Sequence, residues 1–466
     1  MADAPSSPAL VGRFVMPWLA EPGTCGTVAV IGMGKIGLPL AAQYAQAGWR
    51  VIGVDVLPDV VDTLNSGRVH VTEEPGLAER IAAAHAAGRF EATLSHADAA
   101  RKADVVVVIV PLMLSDEQQP DYRLIDPASE AVGRGLRPGS LVIYETTLPV
   151  GDTRDRFGPL LERASGLAAG DLGHGFLLAF SPERVYSGRV FRDLATYPKL
   201  VGGVEEASAE RAVAFYRSVL SAEVWRLSSA EAAEFAKLAE TTYRDVNIAL
   251  ANEFARYAQR AGVDVAEVIR GANSQPFSHI HQPGIGVGGH CIPVYPHFLI
   301  SRAPELQIPA LARAVNDAQV DRAVAALVRE LGSLAGLPVL VLGLTYRENV
   351  KELAYSRALT LIERLRSAGA EIAAYDPLLS DEEVERLGIS AWPWGQPSTA
   401  QAIVTQTGDD RFAELEFAAF PDLRVLYDGR NSLHDVPRPE GVRYLGVGRG
   451  DDTGSPAKKR PSSGSG

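Results

Sequence analysis

The chain has 466 residues, of which 46% are hydrophobic, 22% charged and 7% aromatic, with a formal net charge of −12. This composition supplies sizeable cores and excludes a disordered chain, a collagen-like fibre and a small disulfide scaffold. The acidic balance argues against nucleic acid as a partner, which calls for a basic face. The two cysteines, Cys25 and Cys291, cannot build a disulfide framework or a thiolate zinc site, so no metal is expected. Apolar runs such as Val105 to Val110 are too short to span a bilayer. The N-terminus lacks a basic stretch ahead of Phe14 to Ala20, so neither a signal peptide nor a membrane partner is expected, and the cytoplasm is the expected compartment.

Residues 1–26 are rich in Pro, Ser and Gly and read as a flexible arm. From Thr27 the pattern alternates strand and helix. Val28 to Ile31 is a short apolar strand ended by glycine, residues 36–47 suit a helix, and Val51 to Val54 is the next strand. Val105 to Val110, Leu141 to Tyr144 and Phe176 to Ala179 are further apolar strands. Fully apolar strands separated by helices predict a parallel sheet covered on both faces. Residues 228–262 carry no strand signal and no Pro or Gly before Gly262, and Ser228 and Ser229 are plausible N-caps, which predicts one long helix. A second series follows, with the strand Val339 to Leu342, a helix around 356–368, and the strands Ile372 to Tyr375 and Val425 to Tyr427. The predicted fold is therefore α/β, two Rossmann-like doubly wound domains joined by a long central helix. The expected segments are a flexible arm 1–26, a dinucleotide-binding domain 27–226, a central helical domain 227–330, a C-terminal domain 331–449 and a disordered tail 450–466.

Gly32-Met-Gly34-Lys-Ile-Gly37 follows the first strand and opens a helix. Gly32 permits a tight turn, Gly34 lets backbone approach a pyrophosphate, and Gly37 lets the helix pack on the sheet. Phosphate then sits at the helix N-terminus, where free amides and the dipole favour an anion. Asp55, 23 positions after Gly32, can accept hydrogen bonds from a ribose 2′-hydroxyl and would repel a 2′-phosphate, so NAD is favoured over NADP.

Pro283-Gly-Ile-Gly286-Val-Gly288-Gly289-His290-Cys291-Ile-Pro293 is the most unusual stretch. Its glycines and prolines make a fixed, close-approach loop that presents a cysteine. A free cysteine is usually a small buried hydrophobe; a nucleophilic one needs an electropositive setting. Lys237 and Thr241 lie one turn apart on the long helix and share a face. A helical lysine is most often a solvated surface charge. Glu183, in Ser181-Pro-Glu183-Arg184, follows an apolar strand, where doubly wound folds place their ligands.

Taken together, several segments resemble the UDP-glucose/GDP-mannose dehydrogenase family of nucleotide-sugar 6-dehydrogenases, over residues 27–447. They are Gly32-Met-Gly-Lys-Ile-Gly-Leu-Pro-Leu40, Glu145-Thr-Thr-Leu-Pro149, Ser181-Pro-Glu-Arg184, Lys199-Leu-Val-Gly-Gly203, the run from Lys237 to Glu253, the Cys291 loop, Tyr375-Asp-Pro377 and Asp428-Gly-Arg-Asn431. The Gly-Gly-His-Cys-Ile-Pro form looks like the branch that acts on UDP-N-acetylhexosamines; a UDP- or dTDP-hexose stays open. The resemblance implies that Cys291 is a nucleophile, that Lys237 assists proton transfer and steadies oxyanions, that Glu183 activates water and that Thr147 lies near nicotinamide and substrate. It implies NAD contacts at Gly32, Gly34, Lys35, Ile36, Gly37, Asp55, Pro111, Thr147 and Arg347. It implies nucleotide-sugar contacts at Glu183, Arg184, Lys237, Gly284, Gly286, Gly288, Gly289, Tyr346 and Arg430, and a homodimer formed through the long helix. The implied reaction is a four-electron oxidation of the sugar C6 hydroxyl to a uronate through a thioester on Cys291.

The sequence departs from the family pattern in four places. Thr241 stands where the family has Asn, and Tyr295 where it has Asp. Ala354 replaces an arginine, and an arginine ahead of the glycine loop is absent from Pro276 to His279. These changes bear on substrate identity and on thioester hydrolysis. Two other readings compete: a two-electron dehydrogenase in which Cys291 is structural, and a catalytically silent nucleotide-sugar binder.

Overall fold

The computed structural model describes residues 25–449. The tail 450–466, and the arm 1–26 apart from Cys25 and Gly26, lie outside the described residues. The chain divides into two compact units, Met1–Glu240 with His297–Ala303, and Thr241–Pro296 with Pro304–Gly466. The dividing line falls within the long central helix.

The first unit is built on eight strands: β1 (Thr27–Ile31), β2 (Arg50–Val54), β3 (Phe90–Thr93), β4 (Val105–Val108), β5 (Leu141–Tyr144), β6 (Leu177–Phe180), β7 (Lys199–Gly203) and β8 (Val224–Arg226). Their order across the sheet is β8-β7-β6-β5-β4-β1-β2-β3. All neighbours run parallel except β6 and β7, which are antiparallel, a departure from the all-parallel expectation. The apolar run from Val105 pairs only as far as Val108, and Phe176 lies just outside its strand. The four residues of β4 are fully buried, because helices cover both faces and leave no side for water. Helix α1 (Gly37–Gln46) is pinned to α2 (Glu206–Val219) by Tyr44 and Trp49, whose rings meet Phe215 edge-on at 5.2 and 5.0 Å. β1 lies between β2 and β4. That is the point where the winding reverses and where doubly wound sheets open a crevice at their carboxyl ends.

Helix α3 (Ala230–Ala261) has 32 residues, a length of about 48 Å. Ser229 caps its start, accepting from the Ala232 amide at 3.2 Å. Gly262, at φ +69°, ends it, and the Val263 amide returns to the Ala258 carbonyl at 3.0 Å. Its polar residues Glu234, Lys237, Thr241, Asp245 and Asn252 are buried and recur on one side at helical spacing. Tyr243, Leu250, Phe254 and Tyr257 on the opposite side are exposed.

The second unit carries β9 (Pro338–Leu342), β10 (Glu371–Tyr375), β11 (Ser390–Ala391), β12 (Ala402–Thr405), β13 (Val425–Asp428) and β14 (Arg443–Gly446), together with helices α4 (Gln307–Asp317) and α5 (Arg357–Ser367). The sheet order is β11-β10-β9-β12-β13-β14, and every pairing is parallel. The two-residue β11, β12 and β14 were not anticipated from the sequence. Among the described residues no helix is long and apolar enough to cross a membrane.

The two sheets repeat one piece of wiring. In the first, the Gly32 amide donates to the Val54 carbonyl at 2.8 Å and the Met33 amide to Asp55 at 3.1 Å. In the second, the Gly343 amide donates to the Tyr375 carbonyl at 2.8 Å and the Leu344 amide to Asp376 at 2.7 Å. The outcomes differ. Asp376 is 1% exposed and also accepts from the Thr345 amide and hydroxyl at 2.8 and 2.9 Å, and Thr407 fills the space beside Gly343. Its carboxylate is committed to structure. Replacing it by alanine strands two buried amides, each worth about 1–3 kcal/mol. Asp376→Ala should therefore move the urea transition of the second unit, followed by circular dichroism, to clearly lower denaturant. An unmoved transition would show that these bonds contribute nothing net.

Candidate functional site

In the first unit the three glycines of the β1–α1 turn have separate tasks. Gly32 sits at φ +103°, with the Ile109 carbonyl 3.2 Å from where a Cβ would stand. A Cβ on Gly37 would lie 1.9 Å from the Gly32 carbonyl oxygen, so the helix can seat only on glycine. A Cβ on Gly34 would meet nothing within 4 Å. The protein itself does not need Gly34 bare; a ligand lying against the backbone does. The turn opens onto the N-terminus of α1, whose dipole favours an anion there. Lys35 pairs with Glu73 at 3.3 Å, and Ile36 packs partly buried on the core. Asp55 is half-buried; it accepts from Met33 and from the Leu57 amide at 3.0 Å and keeps lone pairs for a ribose. Pro111 is exposed beyond the end of β4, and Thr147 is buried beyond β5. The residues present fit a dinucleotide with an unphosphorylated ribose.

Beyond β6 lies a cluster the sequence reading only partly foresaw. The Glu183 carboxylate accepts from the Arg184 and Val185 amides at 2.6 and 2.9 Å and from Lys199 Nζ at 3.1 Å. Lys199 also lies 3.3 Å from Glu145, which accepts from the Tyr44 hydroxyl at 3.2 Å and from the Tyr216 hydroxyl. Burial pushes the Glu183 carboxyl up, but Lys199, the Arg184 amide and Lys237 outweigh it and hold it below the usual range. Burial wins at Glu145, which is raised despite Lys199, with Glu183 adding to the rise. Lys237 is 6% exposed and acts on Glu183 through its charge; it is not a solvated surface lysine. Arg184 is tied to Glu240 at 2.8 Å and to the Pro198 carbonyl at 3.3 Å. Glu234, also on α3, accepts from the Gly151 and Thr153 amides and so fixes the turn that follows Thr147. Burial lifts its carboxyl to about 7.

In the second unit Cys291 is half-buried at the end of a loop held from several sides. The Gly284 amide donates to Asn252 of α3 at 3.0 Å, Gln406 Nε2 to the Ile285 carbonyl at 2.9 Å, and Arg357 Nε to the Val287 carbonyl at 3.2 Å. Gly286 and Gly289 take φ +77° and +88°, and Cβ atoms on Gly288 or Gly289 would press on Tyr346 at 2.9 Å. Arg430 lies beside Gly284, its Nη1 3.0 Å from where a Cβ would stand. The Tyr295 amide donates to the Cys291 carbonyl at 2.9 Å. Asn252 is itself held by Asn316, which bonds Asp245, which pairs with Arg313 at 2.6 Å; Arg313 and Arg357 both reach Asp317. Thr241 is buried on α3, and Arg347 forms a backbone bridge with Val350. The sequence reading missed Asn252, Arg357 and Gln406 as loop supports, and Glu145 and Lys199 as partners of Glu183. Glu145, Lys199 and Asn252 fall inside the segments that carried the family resemblance, which was the available signal.

Known proteins place this geometry. Residues 26–220 match the NAD-binding domain of the UDP-glucose/GDP-mannose dehydrogenase family, residues 231–319 its central domain and residues 340–435 its UDP-binding domain. The chain is 35% identical over 434 residues to a UDP-N-acetyl-D-mannosamine dehydrogenase of Pyrococcus horikoshii, covering 91% of this chain and 99% of that one. Its fold is similar to that of a UDP-N-acetyl-mannosamine dehydrogenase of Staphylococcus aureus, with a TM-score of 0.79 at 30% identity over 91% of this chain and 99% of that one. It is likewise similar to a UDP-glucose dehydrogenase of Pyrobaculum islandicum, with a TM-score of 0.81 at 26% identity over 94% and 100%. The chain belongs to the UDP-glucose/GDP-mannose dehydrogenase family and is an NAD-dependent oxidoreductase acting on the CH–OH group of a nucleotide sugar.

Proposed function

We propose that the protein oxidises the C6 hydroxyl of a UDP-N-acetylhexosamine, UDP-N-acetyl-D-mannosamine first among them, to the uronate through a thioester on Cys291. The observation that carries this reading is the Cys291 loop, whose backbone is fixed by Asn252, Gln406 and Arg357 so that a thiol is presented at its end. The relatives' names supply the substrate class. Bound at the β1–α1 turn, NAD supplies a hydride acceptor for each of two successive oxidations.

The protein's own residues do the rest. The Cys291 thiolate attacks the C6 aldehyde, and the new alkoxide takes a proton to give a thiohemiacetal. Loss of the hydroxyl proton together with hydride from that carbon leaves a thioester. Water then adds, the C–S bond breaks and the thiol is restored. Glu183, held as a carboxylate, takes the water proton. Lys237 steadies the oxyanion at each tetrahedral stage. Tyr295 offers a phenol where a carboxylate would help, and a phenol is a poor general base at neutral pH. Thr241 offers a hydroxyl in place of an amide donor. Hydrolysis is therefore the slow step in this reading.

We further propose a homodimer through α3. Its face of Tyr243, Leu250, Phe254 and Tyr257 is apolar and exposed, the reverse of a solvent-facing helix surface.

Three outcomes are expected. First, UDP-N-acetyl-D-mannosamine with excess NAD should give two NADH per sugar, with a pre-steady-state burst and an acyl adduct on Cys291 by intact mass. Cys291→Ser should make no uronate yet still bind NAD. A single NADH per sugar, or uronate from the serine variant at the normal rate, would sink the thioester route. Second, Asp55→Ala should weaken NAD use by one to two decades in kcat/KM, the loss of a charged hydrogen bond of about 1.5–3 kcal/mol. An unchanged NAD to NADP ratio would refute its role at the ribose. Third, Leu250→Asp with Phe254→Asp should halve the mass seen by light scattering; a wild-type mass would place the subunit contact elsewhere.

A further inference from the structure

We propose that Lys199 is a positioning residue for this reaction: clamped between two buried glutamates, its ammonium holds the Glu183 carboxylate charged and in place, while Glu145 serves as the neutral anchor of the ammonium. The proposal rests on the reading that Glu183 acts on the reacting groups.

The geometry is a three-member chain. Lys199 Nζ stands 3.1 Å from Glu183 and 3.3 Å from Glu145, with the Tyr216 ring 5.0 Å away. Lys199 is 5% exposed and Glu145 fully buried, whereas the Glu183 side chain retains 12% exposure. Only Glu183 therefore opens outward. One cation cannot neutralise two buried anions, so the charge settles on the carboxylate that has both oxygens engaged, a second cation near it and some access to water. Glu183 has the ammonium, two backbone amides and the field of Lys237. Glu145 has the ammonium and two phenols, and its Oε2 has no partner. Glu183 is thus the anion and Glu145 the neutral member. The directions in which burial and neighbours move the two groups agree.

Other charged groups around Glu183 do not replace Lys199. The charge of Lys237 on α3 also favours the Glu183 carboxylate, but less than that of Lys199. Arg184 is engaged by Glu240, and Asp193, on the short helix Val190–Thr196, is engaged by Arg189 at 3.0 Å. Tyr44 on α1 and Tyr216 on α2 donate to Glu145 rather than to Glu183.

The test follows kcat and KM against pH for the full-length enzyme with UDP-N-acetyl-D-mannosamine and NAD. A base works ionised, so the rate falls as pH drops through its pKa. Removing a cation within bonding distance raises that pKa by about one to three units. Lys199→Met should therefore move the acid limb of kcat upward by about that much, with KM for NAD unchanged. Lys199→Arg should bring the limb back toward wild type. Glu145→Gln, a neutral copy of the anchor, should keep the limb in place, and it carries the test alone if Lys199→Met does not fold. An acid limb unmoved in a folded Lys199→Met, or shifted upward in Glu145→Gln, overturns the proposal. Glu183→Gln separates the two levels. If it turns over normally, the assignment of Glu183 fails. If it is crippled while the Lys199 variants keep the wild-type limb, only the positioning role fails.

Discussion

The constraint on which most of this structure depends is the inverted helix α3. Burying a polar side chain without a partner costs roughly 1–3 kcal/mol, so a helix that turns Glu234, Lys237, Asp245 and Asn252 inward must supply each with one. Most of the partners lie on loops. Glu234 holds the turn after Thr147, Asp245 pairs with Arg313, and Asn252 holds Gly284 at the start of the Cys291 loop. Lys237 lends its charge to Glu183. Within each compact unit, buried polar groups of this helix thus serve as fixed points. The same arrangement leaves apolar side chains exposed on the other side of the helix.

The two doubly wound sheets show how one wiring serves two ends. Gly32 with Asp55 and Gly343 with Asp376 make the same glycine-to-strand and amide-to-carboxylate contacts. What separates them is the environment. Gly34 has open space beside it and Asp55 keeps free lone pairs, whereas Thr407 fills the space at Gly343 and Asp376 is sealed behind Thr345. A carboxylate with all its capacity taken by its own backbone stabilises a turn; one with capacity to spare can recognise a ribose.

What was readable from the sequence follows the same division. Apolar runs such as Val105 to Val108 announced buried strands, and the absence of Pro and Gly announced α3, because both signals are local. Glycine spacing announced the cofactor turn. The antiparallel β7 and the short β11, β12 and β14 were not readable, since pairing direction and brief strands are set by distant neighbours. Helical position alone does not say which side is buried, so Lys237 was legible only through the family segment that carries it. Lys199 and Glu145 carry no pattern of their own. Their significance comes from a contact across 54 positions of sequence, visible only once β5 and β7 are placed.

The departures at Thr241 and Tyr295 gain meaning from this division of labour. Both alter groups in the second unit, while the charge cluster around Glu183 is complete within the first. The Cys291 loop is held by neutral hydrogen bonds and by Arg357, and its glycines have no side chains to adjust. A loop so fixed presents its thiol by geometry, which serves bond formation through proximity and orientation. Hydrolysis makes a different demand, because water must be deprotonated and a second tetrahedral oxyanion borne. In the proposed reaction that demand falls on charge, and the first unit concentrates its buried charge at Glu183, Lys199 and Lys237. In the proposed reaction, a chain with fewer polar groups beside the thiol leans the more on that cluster. Selection on this chain should therefore weigh more heavily on the buried Lys199 than on Tyr295, although Tyr295 lies far closer to Cys291 in sequence.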